Sequence, residues 1–169
     1  EGIDSLDPAL LGKDTKVAVD PDMNIVTDNG VAGIFVLENE HGFKFRHDVT
    51  GFFQANMLLR SRMIERVVEY AEPSLQDSFM DICCGCGFFS IPLATRCLRG
   101  YCFDNDRRSI MNAEYNSRIN NLSNLSFEIM PESDIHPFRY KPDFIVIDPP
   151  RAGISKKGRK TINTIKPEK

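Results

Sequence analysis

A chain of 169 residues with 41% hydrophobic content can bury a real core and reads as one main domain with an appendage. Its net charge of −3 excludes a uniformly basic nucleic-acid binder, and no apolar run approaches the roughly 18 residues a membrane span needs. Five cysteines, an odd number crowded between Cys83 and Cys102, argue against a secreted disulfide framework and for a reduced, cytoplasmic chain.

Taken in chain order, the first 48 residues read as a small β-rich region. Lys16–Val19, Asn24–Thr27, Val31–Leu37 and Phe43–Arg46 are rich in β-branched and aromatic residues, separated by Pro21-Asp22, Asp28-Asn-Gly30 and His41-Gly42. Asn29-Gly30 offers the two positive-φ positions of a type I′ turn. This small antiparallel sheet is either a substrate-facing lip or plain packing. No signal peptide is legible, and the start at Glu1 rather than Met reads as a fragment, a processed product or the ordered part of a longer chain.

Residues 49–169 read as an α/β domain. Thr50-Gly-Phe-Phe-Gln-Ala-Asn56 leads into a helix running to about Tyr70, with Met57, Ile64, Val68 and Ala71 near helical spacing and Pro73 as its stop. The amides of Gln54 and Asn56 could contact a ligand or satisfy the helix start. A short apolar run around Phe79-Met80 then enters Asp81-Ile-Cys-Cys-Gly-Cys-Gly-Phe-Phe-Ser90, and Ser90–Arg96 has helical character. In that strand, turn and helix, Gly85 and Gly87 let the backbone take positive φ and approach a ligand closely. Tyr101-Cys-Phe103 forms a second strand ending in Asp104, a carboxylate placed for a ribose diol. The alternative is a structural turn, and the distal acid favours a nucleoside-cofactor site.

The alternation continues with a helix over Arg107–Asn120, a strand over Leu125–Ile129 and a buried parallel strand over Phe144–Ile147. That strand ends in Asp148-Pro-Pro-Arg-Ala-Gly153, whose prolines would hold Asp148 stiffly. Ligands bind at the carboxyl ends of parallel strands, so Asp81, Gly85, Gly87, Asp104 and Asp148 are expected to converge on one crevice. From Arg151 to Lys169 there are seven Lys/Arg against one acid, leaving about −9 on residues 1–150. This basic end reads as a solvated, poorly ordered terminus slightly better than as a phosphate-binding surface.

Phe52-Phe-Gln-Ala-Asn56, the glycine loop, Asp104 and Asp148-Pro-Pro-Arg-Ala-Gly153, in this order, resemble the S-adenosylmethionine-dependent RNA uracil-C5 methyltransferases over about Gly42–Gly153. The resemblance implies a Rossmann-like class I methyltransferase fold acting on a uridine in tRNA or ribosomal RNA. By analogy Gln54, Cys83, Phe88, Asp104 and Asp148 line the S-adenosylmethionine pocket with Gly85 and Gly87, and Arg151 faces substrate. The family often has an aromatic residue where Cys83 stands and an asparagine where Phe88 stands.

The family's chemistry uses a cysteine thiolate that attacks C6 of uracil, methyl transfer to C5 and removal of the C5 proton. Its nucleophile lies in a segment after the Asp-Pro-Pro-Arg loop and so is expected beyond Lys169, with none of the five cysteines matching it. The domain is therefore expected to be C-terminally incomplete, with four strands of a seven-stranded sheet and an apolar edge beside the fourth. Two other readings are a base-amino methyltransferase and a non-catalytic cysteine metal module. Arg151, where amino methyltransferases usually carry a stacking aromatic, argues against the first. The adjacency of Cys83 and Cys84 argues against the second.

Overall fold

The computed structural model describes residues 17–19, 25–27, 35–48 and 51–167, with side-chain environments from residue 40 onward. Two four-stranded sheets result. The first is antiparallel in the order β1-β2-β3-β4, with β1 Val17–Val19, β2 Ile25–Thr27, β3 Phe35–Glu40 and β4 Phe43–Asp48. The expected turn at Asn29-Gly30 lies outside the described residues. The β3–β4 hairpin pairs Glu40 with Phe43 across His41-Gly42, whose φ values of 51° and 82° are the two positive angles a tight primed turn demands.

The second sheet is parallel, in the order β7-β6-β5-β8: β5 Ser78–Ile82, β6 Arg99–Asp104, β7 Leu125–Ile129 and β8 Phe144–Ile147. Helix α1 (Met57–Ala71) precedes β5, the short α2 (Ser90–Ala94) joins β5 to β6, and α3 (Arg107–Ile119) joins β6 to β7. This is a Rossmann-like arrangement, in which strands of period two send alternate residues to opposite helix layers. Phe79 enters a cluster with Ile64 of α1, Ile91 and Leu93 of α2 and Phe144. Met80 and Ile82 enter another with Phe103, Ile135 and Tyr140 on the far face.

The antiparallel sheet docks on α3 through its last strand. Asn116, fully buried, accepts from the Arg46 backbone N–H at 2.7 Å and returns a bond to the Arg46 carbonyl at 2.9 Å. The Arg46 guanidinium lies 3.9 Å from the Tyr115 ring centre. The two readings offered for this sheet thus acquire a packing surface, with β4 fastened beside the carboxyl ends of the parallel strands.

Two expectations change. Strand β8 is half-buried rather than fully buried, because among the described residues it pairs with β5 alone, and Ile147 stays 37% exposed. The basic end is an ordered amphipathic helix, α4 (Lys156–Ile165), not a frayed terminus. Ser155 caps it by accepting from the Gly158 N–H at 3.0 Å, and Ile162 and Ile165 pack against the Met80–Ile82 cluster.

Packing within the parallel sheet is tight at Gly100, where an added Cβ would lie 2.4 Å from Phe79 Cζ and 2.5 Å from Leu125 Cδ2. Gly100→Ala is expected to cost about 1–3 kcal/mol by overpacking. Urea unfolding measures it, and an unchanged midpoint would show that both side chains give way freely.

Candidate functional site

The carboxyl ends of β5, β6, β7 and β8 open into a cleft of about 660 Å³. Gln54, Cys83, Gly85, Phe88, Asp104, Asp148 and Arg151 all line it, so seven of the eight residues that the resemblance assigns to cofactor or substrate, Gly87 being the eighth, meet at one place. The loop after β5 is shaped by Cys83 and Gly85, at φ 63° and 55°. Its Gly85 N–H points at the tip of β6, donating to Asp104 Oδ2 at 2.9 Å, while Asp104 Oδ1 accepts from the Asp106 N–H at 2.8 Å. Asp104 therefore fixes the loops on both sides of itself and still has lone pairs for a ligand.

Gly87 does not line the cleft. Its φ of 88° turns the chain into α2, and its missing Cβ faces Ile91 and Ala113 Cβ, 3.4 and 3.6 Å away. Its role is close packing between α2 and α3. Asp81, expected in the crevice, lies beneath it instead, fully buried, with Oδ2 accepting from Ser90 Oγ at 2.5 Å and Oδ1 without a partner. Burial, opposed by the Ser90 hydrogen bond and helped by the nearby charges of Asp148 and Asp104, pushes its carboxyl up to about 7.

Across the cleft, Gln54 Nε2 donates to Asp148 Oδ2 at 2.7 Å. The Gln54 amide thus bonds across the cleft rather than to the helix start. Burial raises the Asp148 pKa, and the Gln54 bond opposes the rise. Asn56 is exposed and makes no side-chain bond at the α1 terminus. One wall is aromatic, with Phe53 and Phe88 edge-on at 5.5 Å and Phe45 behind both at 6.0 and 5.7 Å. The opposite wall is Met130-Pro131-Glu132, which follows β7.

Sequence reasoning missed Arg60, Phe53 and the Met130–Glu132 wall. Arg60 sits on α1 but is buried, donating from Nε to the Gln54 carbonyl at 2.5 Å and from a terminal nitrogen to Glu40 Oε1 at 3.3 Å, with its guanidinium 4.4 Å from the Phe53 ring centre. It falls four residues before Ile64, on the apolar stripe, and that position was the available signal.

Four of the five cysteines are held as protonated thiols. Burial pushes the thiols of Cys83 to about 11 and Cys86 to about 12, and those of Cys84 and Cys102 well above the ordinary range. Among the described residues no group of three or more His, Cys, Asp or Glu side chains is arranged to hold a metal ion, and no helix is long and apolar enough to cross a membrane.

A profile of the tRNA (uracil-5-)-methyltransferase family matches residues 6–166. An uncharacterized RNA methyltransferase of Listeria monocytogenes is 31% identical over 133 residues, covering 76% of this chain and 29% of that protein. A 23S rRNA (uracil(1939)-C(5))-methyltransferase of Vibrio parahaemolyticus is 29% identical, covering 75% and 30%. The chain thus spans about a third of the length of these relatives. The crystal structure of Pyrococcus abyssi tRNA (uracil-54, C5)-methyltransferase with S-adenosyl-L-homocysteine superposes with a TM-score of 0.69 at 28% identity, covering 79% of this chain and 33% of that one. The glycine loop, the acid at the tip of β6 and the Gln54–Asp148 bridge therefore sit in a methyltransferase fold, and the chain belongs to the tRNA (uracil-5-)-methyltransferase family.

Proposed function

We propose that this chain is the S-adenosylmethionine-binding part of an enzyme that methylates C5 of a uridine in tRNA or ribosomal RNA. The observation that carries the reading is the Gln54–Asp148 hydrogen bond closing over a cleft whose base is the Asp104–Gly85 contact. Family membership supports methyl transfer to RNA, and the relatives include enzymes named for ribosomal RNA and for tRNA.

The donor set suits the cofactor. Asp104 and Asp148 at the cleft offer carboxylates to a molecule that carries a sulfonium and an ammonium group. Phe53 and Phe88 give the apolar, ring-faced wall against which a sulfonium is favourably held. When bound, the cofactor supplies a methyl group on cationic sulfur. Asp104 would accept from its ribose diol and the Cys83–Gly85 turn would hold it, while Gln54 fixes the orientation of Asp148. Arg151, exposed on the cleft rim, faces the incoming RNA. The raised thiols of Cys83, Cys84, Cys86 and Cys102 suit them poorly for attack on uracil, which fits a chain whose share of the reaction is holding the methyl donor.

Calorimetric titration with S-adenosylmethionine, with NAD as comparator, tests this directly. Asp104→Ala is expected to weaken S-adenosylmethionine binding more than tenfold, about 1.4 kcal/mol, because a charged acceptor is lost and the loop at Gly85 is released. An unchanged dissociation constant, or binding of NAD alone, would overturn the assignment.

A further inference from the structure

We propose that the outward face of α4, centred on Lys156 and Lys160, is a docking surface for the phosphodiester backbone of RNA. The proposal rests on reading the cleft as the cofactor site of an RNA methyltransferase. Residues 151–167 hold six Lys/Arg and no Asp or Glu, whereas the whole chain carries −3, so the remainder sums to −9. Such a sign reversal at one end of an acidic body is what a polyanion would find.

The helix arranges these charges. At 100° per residue, Gly158, Thr161, Ile162 and Ile165 fall on one side and are the buried or half-buried positions, while Lys156 and Lys160 fall on the opposite side and are exposed. The nearby acids are already engaged. Glu132 Oε1 accepts from the Ser155 N–H at 3.0 Å, and Asp134 pairs with Lys157 Nζ at 3.0 Å; the Ser155 hydroxyl and then its N–H lower the Glu132 carboxyl, and Lys157 lowers that of Asp134. Lys156 and Lys160 have no acidic partner within ion-pair distance among the described residues.

Position supplies the second argument. The helix starts directly after the Pro149–Ile154 segment of the cleft wall, and it is pinned to the opposite wall at Glu132. Gly158 seats it there, since a Cβ would lie 2.3 Å from Glu132 Cγ. The helix that carries the cations is thus anchored next to the cleft, whose lining includes Arg151. Flexible lysines on a merely solvated helix require no such anchoring to the cleft.

Binding of a labelled stem-loop RNA with a uridine-containing loop, followed by anisotropy over a salt series, tests the surface. Each phosphate contact contributes about 0.7 to 0.9 to the slope of log K against log salt, so Lys156→Gln with Lys160→Gln should reduce that slope by about 1.4 to 1.8. S-adenosylmethionine affinity should stay unchanged. The control pair Arg62→Gln with Lys141→Gln, which removes the same charge elsewhere, should leave the slope as it is. The proposal is overturned if the slope is unaffected, if the control lowers it equally, or if polyglutamate displaces the RNA as effectively as unlabelled RNA does. Wild-type chain that binds S-adenosylmethionine but not RNA refutes the surface and leaves the cofactor reading standing, whereas failure to bind either refutes both.

Discussion

Asp81→Asn will flatten the pH dependence of stability between about pH 4 and pH 7, with an effect on the order of 4 kcal/mol at the alkaline end. Asp81 is fully buried on β5, with Oδ2 accepting from Ser90 and Oδ1 without a partner. Burial first, and then the charges of Asp148 and Asp104, lift its carboxyl from 3.8 to about 7. Between those two values the folded chain binds a proton that the unfolded chain has released. Stability must therefore fall as pH rises through the window, by about 1.4 kcal/mol per unit from this group alone. Asp106, Glu132 and Asp134 work the other way, since their folded pKa values are lowered, and their contribution is lost only as pH falls into the acid range. Asparagine keeps the shape and an acceptor for Ser90 but cannot ionise. Denaturant unfolding at pH 5 and pH 8 should show the variant more stable than wild type at both, by about 1.5 kcal/mol at the first and about 4 kcal/mol at the second. Parallel curves for the two proteins would show that Asp81 is ionised throughout and stabilised by something other than Ser90.

The strands and helices of the parallel sheet were legible because their signals are local. A glycine turn between an apolar run and a helical segment, repeated with acids at the strand tips, has few other solutions, and the observed spans of β5, α3, β7 and β8 fall within a residue or two of the expected ones. Cleft residues at strand ends were legible for the same reason. The misses were tertiary. Gly87 looks like Gly85 in the sequence, and only the approach of α3, with Ala113 Cβ 3.6 Å from where its own Cβ would stand, assigns it to packing instead of to the ligand. Asp81 points to the helix layer because strand residues alternate, and the Met80 and Ile82 side chains occupy the other face. The fate of the basic end depended on whether Ile162 and Ile165 had a surface to bury against, which the separate cluster around Ile135 and Tyr140 provides. The burial of Arg60 was not legible because arginine is rarely buried, and its partners lie in a loop and a hairpin that sequence spacing does not connect.

Arg60→Met will cost about 3 kcal/mol of stability and will weaken S-adenosylmethionine binding more than tenfold. Methionine keeps an apolar stem of similar reach against Phe53 but removes the donors to the Gln54 carbonyl and to Glu40. Arg60 is 5% exposed, so those acceptors lose a charged partner in a place where water does not readily replace it. The cofactor effect follows from the next link. Gln54 is held at its backbone by Arg60 and holds Asp148 by its side chain, so loosening the first bond frees the second. Arg60→Lys separates positioning from bulk stability. An ammonium can satisfy Glu40, but it lacks the planar fork that serves Glu40 and the Gln54 carbonyl together while lying over the Phe53 ring. Thermal unfolding should then show Arg60→Lys recovering part of the lost stability while calorimetry shows cofactor affinity still reduced. Adding Glu40→Gln to Arg60→Met should recover stability without recovering affinity, since the stranded carboxylate is neutralised but Gln54 remains unheld. If Arg60→Lys restored both quantities in proportion, the charge alone would suffice, and the hairpin would stabilise the fold without setting the position of Gln54.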